Sequence, residues 1–178
     1  ENDTSYRLYT LVSGQTRNGK ITFEQYIQAA GFDRILQAAN RHLLPMSDNQ
    51  FQLYRQTNAV GKQTNTFLDL EVLDISTGKR RPVGNLSGGE SFKASLSLAL
   101  GLSDTIAENR GGIQMDALFV DEGFGTLDSK SLEETKDALL SMSGENKLVG
   151  IISHRDELMD IPQKLRVTKG RGGSRIQM

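Results

Sequence analysis

Two uninterrupted apolar runs, Ala117-Leu118-Phe119-Val120 and Leu148-Val149-Gly150-Ile151-Ile152, restrict the fold of this chain more than any other feature. Neither alternates apolar with polar residues, so neither suits a strand with one wet face; such runs belong to parallel strands buried on both faces. Parallel strands need a long crossover. Between the runs, Leu132, Thr135, Leu139 and Met142 recur at helical spacing, and Asp128 or Ser129 is placed to cap that helix. The segment therefore reads as a βαβ unit, whose crossover is nearly always right-handed.

The flanking segments fit an α/β fold. Thr22-Phe23-Glu24-Gln25 has the form of a capping box, and Phe23, Tyr26, Ile27, Ala30, Ile35, Leu36, Ala39 and Leu43 continue at helical spacing, with a phase slip at Gly31. One long helix ending near Pro45 is expected. Phe51 and Leu53, then Phe67 to Ile75, carry strand patterns, and Gly78-Lys79 is the turn after them. From Ser91 to Ala107, apolar residues occupy most of the helical circumference, which predicts a largely buried helix. Leu165 and Val167, the turn Gly170-Arg171-Gly172-Gly173, and Arg175 to Met178 read as a C-terminal β-hairpin. A length of 178 residues suits one domain.

The formal charge of −1, from 21 Lys and Arg against 22 Asp and Glu, supplies no global basic field. Any nucleic-acid affinity has to come from a local patch. Lys164, Arg166, Lys169, Arg171 and Arg175 form one, with no acid after Asp160; a solvated hairpin face is the preferred reading over a phosphate-backbone contact. The absence of cysteine excludes a disulfide framework and a Cys-based zinc site, and suits a reducing cytoplasm. No apolar run has the length of a membrane span, and Glu1-Asn2-Asp3-Thr4 does not resemble a signal peptide. The expectation is a cytoplasmic protein without a membrane partner, and the start at Glu1 rather than Met reads as a piece of a longer chain.

Ligands of open α/β sheets bind outside the carboxyl ends of the strands. Asp121-Glu122 ends the first apolar run and Ser153-His154 ends the second, so neighbouring strands would bring two carboxylates and an imidazole to one crevice. If successive side chains alternate there, one carboxylate serves a metal and the other a nucleophile. Mg²⁺ needs only one or two carboxylates beside phosphate oxygens, which suits Asp121. Glu122 is the candidate general base for water, and His154 can donate a hydrogen bond to a terminal phosphate. Ser87-Gly88-Gly89 precedes the buried helix, where small residues let backbone N–H groups and the helix dipole approach an anion. His42 has no comparable setting and is assigned to a solvated helix surface.

The strings Leu86-Ser87-Gly88-Gly89-Glu90-Ser91-Phe92, Leu118 through Asp128, and Ile152-Ser153-His154 resemble the C-terminal ATPase segment of the SbcC exonuclease subunit, an ABC-type ATPase related to SMC proteins. The resemblance implies that residues 1–178 form the C-terminal lobe of an ABC-type ATPase head, mainly parallel sheet flanked by helices with a C-terminal hairpin. Residues 1–20 would approach from a coiled coil, and 21–178 would carry the functional motifs. It makes Leu86 to Glu90 the signature motif, acting in trans on ATP held by a second head, and Asp121-Glu122 the Walker B pair. Asp128 becomes the D-loop aspartate and His154 the H-loop histidine. The implied cofactors are ATP and Mg²⁺, the latter held by Asp121 through water.

The implied partners are an N-terminal ATPase segment of the same subunit, a second head, an SbcD-type nuclease subunit and DNA. A phosphate loop requires Gly-x-x-x-x-Gly-Lys followed by Ser or Thr. The nearest string runs from Gly14 to Gly19-Lys20, but Ile21 stands at the hydroxyl position. The resemblance places the true loop in the N-terminal segment, so this chain alone should not turn ATP over. A non-hydrolysing SMC-like scaffold head is the alternative, and Glu122 speaks against it. A transporter engine is disfavoured by Glu90, where transporters usually have Gln, and by Gly123-Phe124-Gly125, where they have a Pro-containing turn.

Overall fold

A computed structural model describes residues 12, 23–56, 68–109, 117–143, 148–170 and 173–177. The approach segment 1–20, apart from residue 12, and the Gly14 to Lys20 string therefore lie outside the described residues. Helix α1 (Phe23–Met46) precedes strands β1 (Phe51–Arg55), β2 (Leu70–Asp74) and β3 (Arg80–Pro82). Helix α2 (Gly88–Asn109), strand β4 (Ala117–Asp121), helix α3 (Ser129–Met142) and strand β5 (Leu148–Ile152) follow, and β6 (Arg166–Gly170) and β7 (Gly173–Gln177) form the C-terminal hairpin.

Helix α1 runs one residue past Pro45 and is closed by Asp48 and Asn49, both left-handed at φ 51° and 57°. Asn and Asp accept this conformation more readily than most residues. The Asn49 N–H returns to the Leu44 carbonyl at 2.8 Å. Strands β1, β2 and β3 make an antiparallel sheet in that order. β3 escapes a pattern reading because Arg80-Arg81-Pro82 shows no apolar alternation, and the pairing with β2 is what makes it a strand. The Asn40 amide binds both the N–H and the carbonyl of Leu53 at 2.8 Å, fixing helix α1 against β1.

Helix α2 is central because it feeds two cores. Ala94 packs with Leu36, Leu43, Phe51, Leu53 and Val72 beneath the antiparallel sheet. Leu96 and Leu100 pack with Val120, Phe124, Leu127, Leu132 and Leu139 around the βαβ unit. Two cores on opposite sides account for its apolar circumference. Where α2 crosses α1, Gly101 has no room for a side chain: a Cβ there would lie 2.7 Å from both the Ile35 carbonyl oxygen and the Ala39 Cα.

The same crossing corrects the reading of His42. Its Nε2 lies 2.7 Å from Asp104 Oδ2, and the side chain is only 20% exposed. Asp104 is 62 residues away in sequence, so only the helix crossing makes the imidazole an inter-helix bridge.

β4 and β5 pair in parallel, with Ala117 opposite Leu148 and Asp121 opposite Ile152. Among the described residues the parallel ladder is confined to this pair, and the other five strands are antiparallel. Burial on both faces is not observed. Leu118, Val120, Val149 and Ile151 meet the core, whereas Phe119, Leu148 and Ile152 on the other face are 65%, 60% and 54% exposed. Burying both faces requires a covering layer on each side, and the described residues supply only one of the two. In the hairpin, every residue of β6 and β7 is exposed. Among the described residues, no helix is long and apolar enough to cross a membrane.

Candidate functional site

The site begins where the parallel ladder ends. The Glu122 N–H donates to the Ile152 carbonyl at 2.9 Å, one step beyond the last strand pair. The backbone then turns left-handed at two consecutive residues, Glu122 at φ 56° and Gly123 at φ 89°. Strand alternation is therefore not what separates the two carboxylates. Asp121 closes β4, and Glu122 is aimed by a backbone conformation outside the strand. A non-glycine residue in this region costs on the order of 1–3 kcal/mol and persists where its surroundings hold it.

Glu122 Oε1 lies 3.6 Å from His154 Nδ1, with side chains 67% and 77% exposed. They line a cleft of about 180 Å³ with Gly123, Phe124, Gly125, Thr126 and Ser153. Complete ligand pockets run to roughly 300–1,000 Å³. This cleft suits the end of a ligand rather than the whole of it. The Ser153 hydroxyl accepts from the Arg155 N–H at 3.2 Å, which holds the turn that presents His154.

Asp121 is exposed, and its carboxylate forms no hydrogen bond or ion pair among the described residues. Those residues also hold no group of three or more His, Cys, Asp and Glu side chains suited to a metal. A single free carboxylate fits Mg²⁺ that keeps its waters and takes its remaining ligands from phosphate.

Ser87 to Glu90 form a reciprocal cap at the start of α2. The Ser87 N–H donates to Glu90 Oε2 at 2.7 Å, and the Glu90 N–H donates to Ser87 Oγ at 3.3 Å. This capping box satisfies two helix-end donors. The Ser-x-x-Glu spacing carries that signal in the sequence. Arg81, not singled out by sequence, holds the Glu90 carboxylate at 2.9 Å and the Asn85 carbonyl at 2.7 Å. Leu86 packs at the margin of the core under the antiparallel sheet.

Partial burial alone would raise the Glu90 pKa, but the Ser87 hydrogen bonds and the Arg81 guanidinium outweigh it and hold the carboxyl below its ordinary value of 4.5. A folded-state pKa below the unfolded one gives stability that is present above the unfolded value and lost as pH falls through the folded one. Thermal unfolding followed from pH 7 downward should therefore show a destabilisation below about pH 4.5 that Glu90→Gln flattens. Identical acid limbs in the two proteins would refute this role.

The two clusters share the turn Phe124–Thr126. Phe124 and Thr126 border the cleft, and Thr126 also meets the helix start. A Cβ at Gly88 would lie 3.3 Å from the Thr126 side chain, and one at Gly89 would lie 3.1 Å from the Thr126 carbonyl oxygen. Phe92, one turn further along α2, stacks edge-on against the buried Phe124 with ring centres 5.0 Å apart and planes at 61°. Asp128, rather than Ser129, caps α3 by accepting from the Ser131 N–H at 3.0 Å. Buried Lys93 ties α2 to α3 through Ser131 at 2.8 Å and Glu134 at 3.3 Å, a link that no local pattern announces.

The structure thus gathers Glu122, Ser153 and His154 into one cleft beside Asp121. Of Leu86 to Glu90, Gly88 and Gly89 approach the same turn from the helix side.

Residues 60–140 match a family described as SbcC/RAD50-like, Walker B motif. The chain is similar to the SbcC subunit of nuclease SbcCD from Staphylococcus aureus strain JH9, at 42% identity over 163 residues, covering 91% of this chain and 16% of that protein. The same values hold for strain Newman. The chain therefore spans 16% of the length of these curated relatives. Its fold is similar to a chain solved in work on ATP-driven dimerization and DNA-stimulated activation of SMC ATPases, with a TM-score of 0.65 at 15% identity, covering 86% of this chain and 88% of that one. It also resembles the SMC head domain from Thermotoga maritima, with a TM-score of 0.57 at 18% identity over 86% of this chain and 50% of that one.

Proposed function

We propose that this chain, whose residues 60–140 match the SbcC/RAD50-like family, is the C-terminal lobe of an ATP-hydrolysing head in the SbcC-like subunit of a DNA exonuclease or endonuclease complex. One observation carries the reading: Glu122 and His154 stand 3.6 Å apart at the carboxyl end of adjoining parallel strands, in a cleft sized for the end of a ligand. Phosphoryl transfer leaves the protein mainly positioning and charge stabilisation to perform.

In this site Glu122 orients the attacking water and takes its proton. His154 donates a hydrogen bond to the terminal phosphate. Bound Mg²⁺, held by Asp121 through water, would supply charge neutralisation at the phosphate oxygens. Ser87 acts in trans, on ATP bound by a second head. Its oxygen already accepts from Glu90, so its own proton is available to donate to phosphate, beside the backbone N–H groups of the first helical turn. Asp128, in the D-loop, caps the start of α3.

The remaining parts of the machine belong to other segments. An N-terminal segment of the same subunit supplies the phosphate loop and the layer that covers Phe119, Leu148 and Ile152. ATP closes two such heads on each other, and closure gates an SbcD-type nuclease subunit acting on DNA ends and hairpins during repair and recombination in the cytoplasm. ATP turnover by this chain, with and without the N-terminal segment, tests the reading. Turnover should appear only in the mixture.

A further inference from the structure

Glu122 is held in a left-handed conformation that its own side chain does not favour, so something outside the turn has to hold it. Three contacts do. The Glu122 N–H is bound to the Ile152 carbonyl at 2.9 Å, which fixes the entry to the turn. Thr126 Oγ1 donates to the Gly123 carbonyl at 3.0 Å, which fixes its exit. The third contact is steric and comes from another element.

The Phe92 ring occupies the volume that a Cβ on Gly123 would need, and its edge contact with Phe124 holds it there. Phe124 is fully buried among Val120, Leu96, Leu100 and Leu127, so it is an anchored surface rather than a yielding one. Gly123 sits at φ 89°, directly after Glu122, and cannot relax toward α2 while the ring is in place. Gly88 and Gly89 of the same helix lie so close to Thr126, at the other end of the turn, that a Cβ on either would come within 3.3 Å or 3.1 Å of it. Helix α2 thus backs the turn from Gly123 to Thr126 at both ends.

We propose that Phe92 is a positioning residue for hydrolysis: its ring, wedged against Gly123 and Phe124, fixes the left-handed Glu122–Gly123 backbone and so the direction in which the Glu122 carboxylate meets water. The inference rests on the proposed role of Glu122 as general base. Phe92 is not among the residues that line the cleft, and it acts through the backbone of Gly123, the residue after Glu122. Misplacement of a catalytic group by about 1 Å can cost around a hundredfold in rate. The helix that carries Ser87 to a second head is therefore also the backing of the base in its own head.

The test uses the full-length subunit assembled with its nuclease partner, comparing wild type, Phe92→Leu, Glu122→Gln and the double variant. Phe92→Leu keeps an apolar group of similar bulk but removes the ring edge. It should keep a cooperative thermal unfolding transition, leave the KM for ATP and ATP-driven head association within about twofold of wild type, and lower kcat by roughly tenfold. In the Glu122→Gln background the same change should have no further effect, because a positioning residue has nothing left to position. Wild-type kcat in Phe92→Leu, or an additive loss in the double variant, overturns the proposal. A kcat unchanged by Glu122→Gln would instead overturn the reading of the site, and this inference with it.

Discussion

Replacing Glu122 by Gln should lower ATP hydrolysis in the reassembled head by about 10²- to 10⁴-fold while leaving ATP-bound pairs of heads intact. The substitution preserves side-chain shape and removes the basic oxygen. The backbone that aims the group stays pinned by the Ile152 carbonyl and by the Gly123–Thr126 turn, so the geometry for binding survives. Asp121, Ser87 and His154 are untouched. Phosphate release under saturating ATP and Mg²⁺, with head association followed by light scattering, reads the two quantities separately. Lost hydrolysis with persistent pairs is the expected pattern. Lost pairs would mean that Glu122 has a structural role and would favour a non-hydrolysing scaffold head.

The second large effect is on folding, at the crossing of α1 and α2. Gly101→Ala inside a helix would ordinarily gain about 1 kcal/mol in helix propensity. Here the added methyl meets the Ile35 carbonyl oxygen and the Ala39 backbone, and backbone cannot rotate aside as a side chain can. Overpacking of this kind typically costs about 1–3 kcal/mol, so the steric term wins and the variant is destabilised. The helices can relieve it only by separating, which stretches the His42–Asp104 bridge.

Gly31 is the matched control. It lies in α1, and a Cβ added there would meet nothing within 4 Å, so Gly31→Ala should gain about 0.5–1 kcal/mol from propensity alone. Thermal unfolding should therefore move in opposite directions for one and the same substitution, by several degrees downward at Gly101, taking roughly 2–4 °C per kcal/mol for a chain of this size. Equal shifts at the two positions would contradict the packing account.

Local pattern is sufficient for the elements whose signal lies within one segment. The two apolar runs are adjacent parallel strands, the apolar spacing is α1, α2 and α3, and the C-terminal segment forms the β6–β7 hairpin; the Thr22 cap and Arg171-Gly172 of the turn lie outside the described residues. The site follows from the same logic, because adjoining strand ends automatically bring Asp121, Glu122, Ser153 and His154 together. Features that depend on distant partners are not legible. His42 needs Asp104, Lys93 needs Glu134, and β3 is a strand only through its pairing with β2. The left-handed Glu122 is hidden for a related reason: strand alternation is a property of continuous strand, and β4 stops one residue earlier. The exposed face at Phe119, Leu148 and Ile152 shows the reverse situation, in which the sequence carries the imprint of a layer that the described residues do not supply.

The central claim is that this lobe holds the base, the phosphate sensor and the signature contact of an ATPase whose phosphate grip lies in another segment. Phosphate release from ATP and Mg²⁺, measured for this chain alone and then with increasing N-terminal segment, tests it most directly. The expected result is background release from the chain alone and a turnover that rises with the added segment, saturates, and disappears with Glu122→Gln. Sustained turnover by the chain alone, abolished by Glu122→Gln, would show that the chain carries a complete site and would contradict the claim.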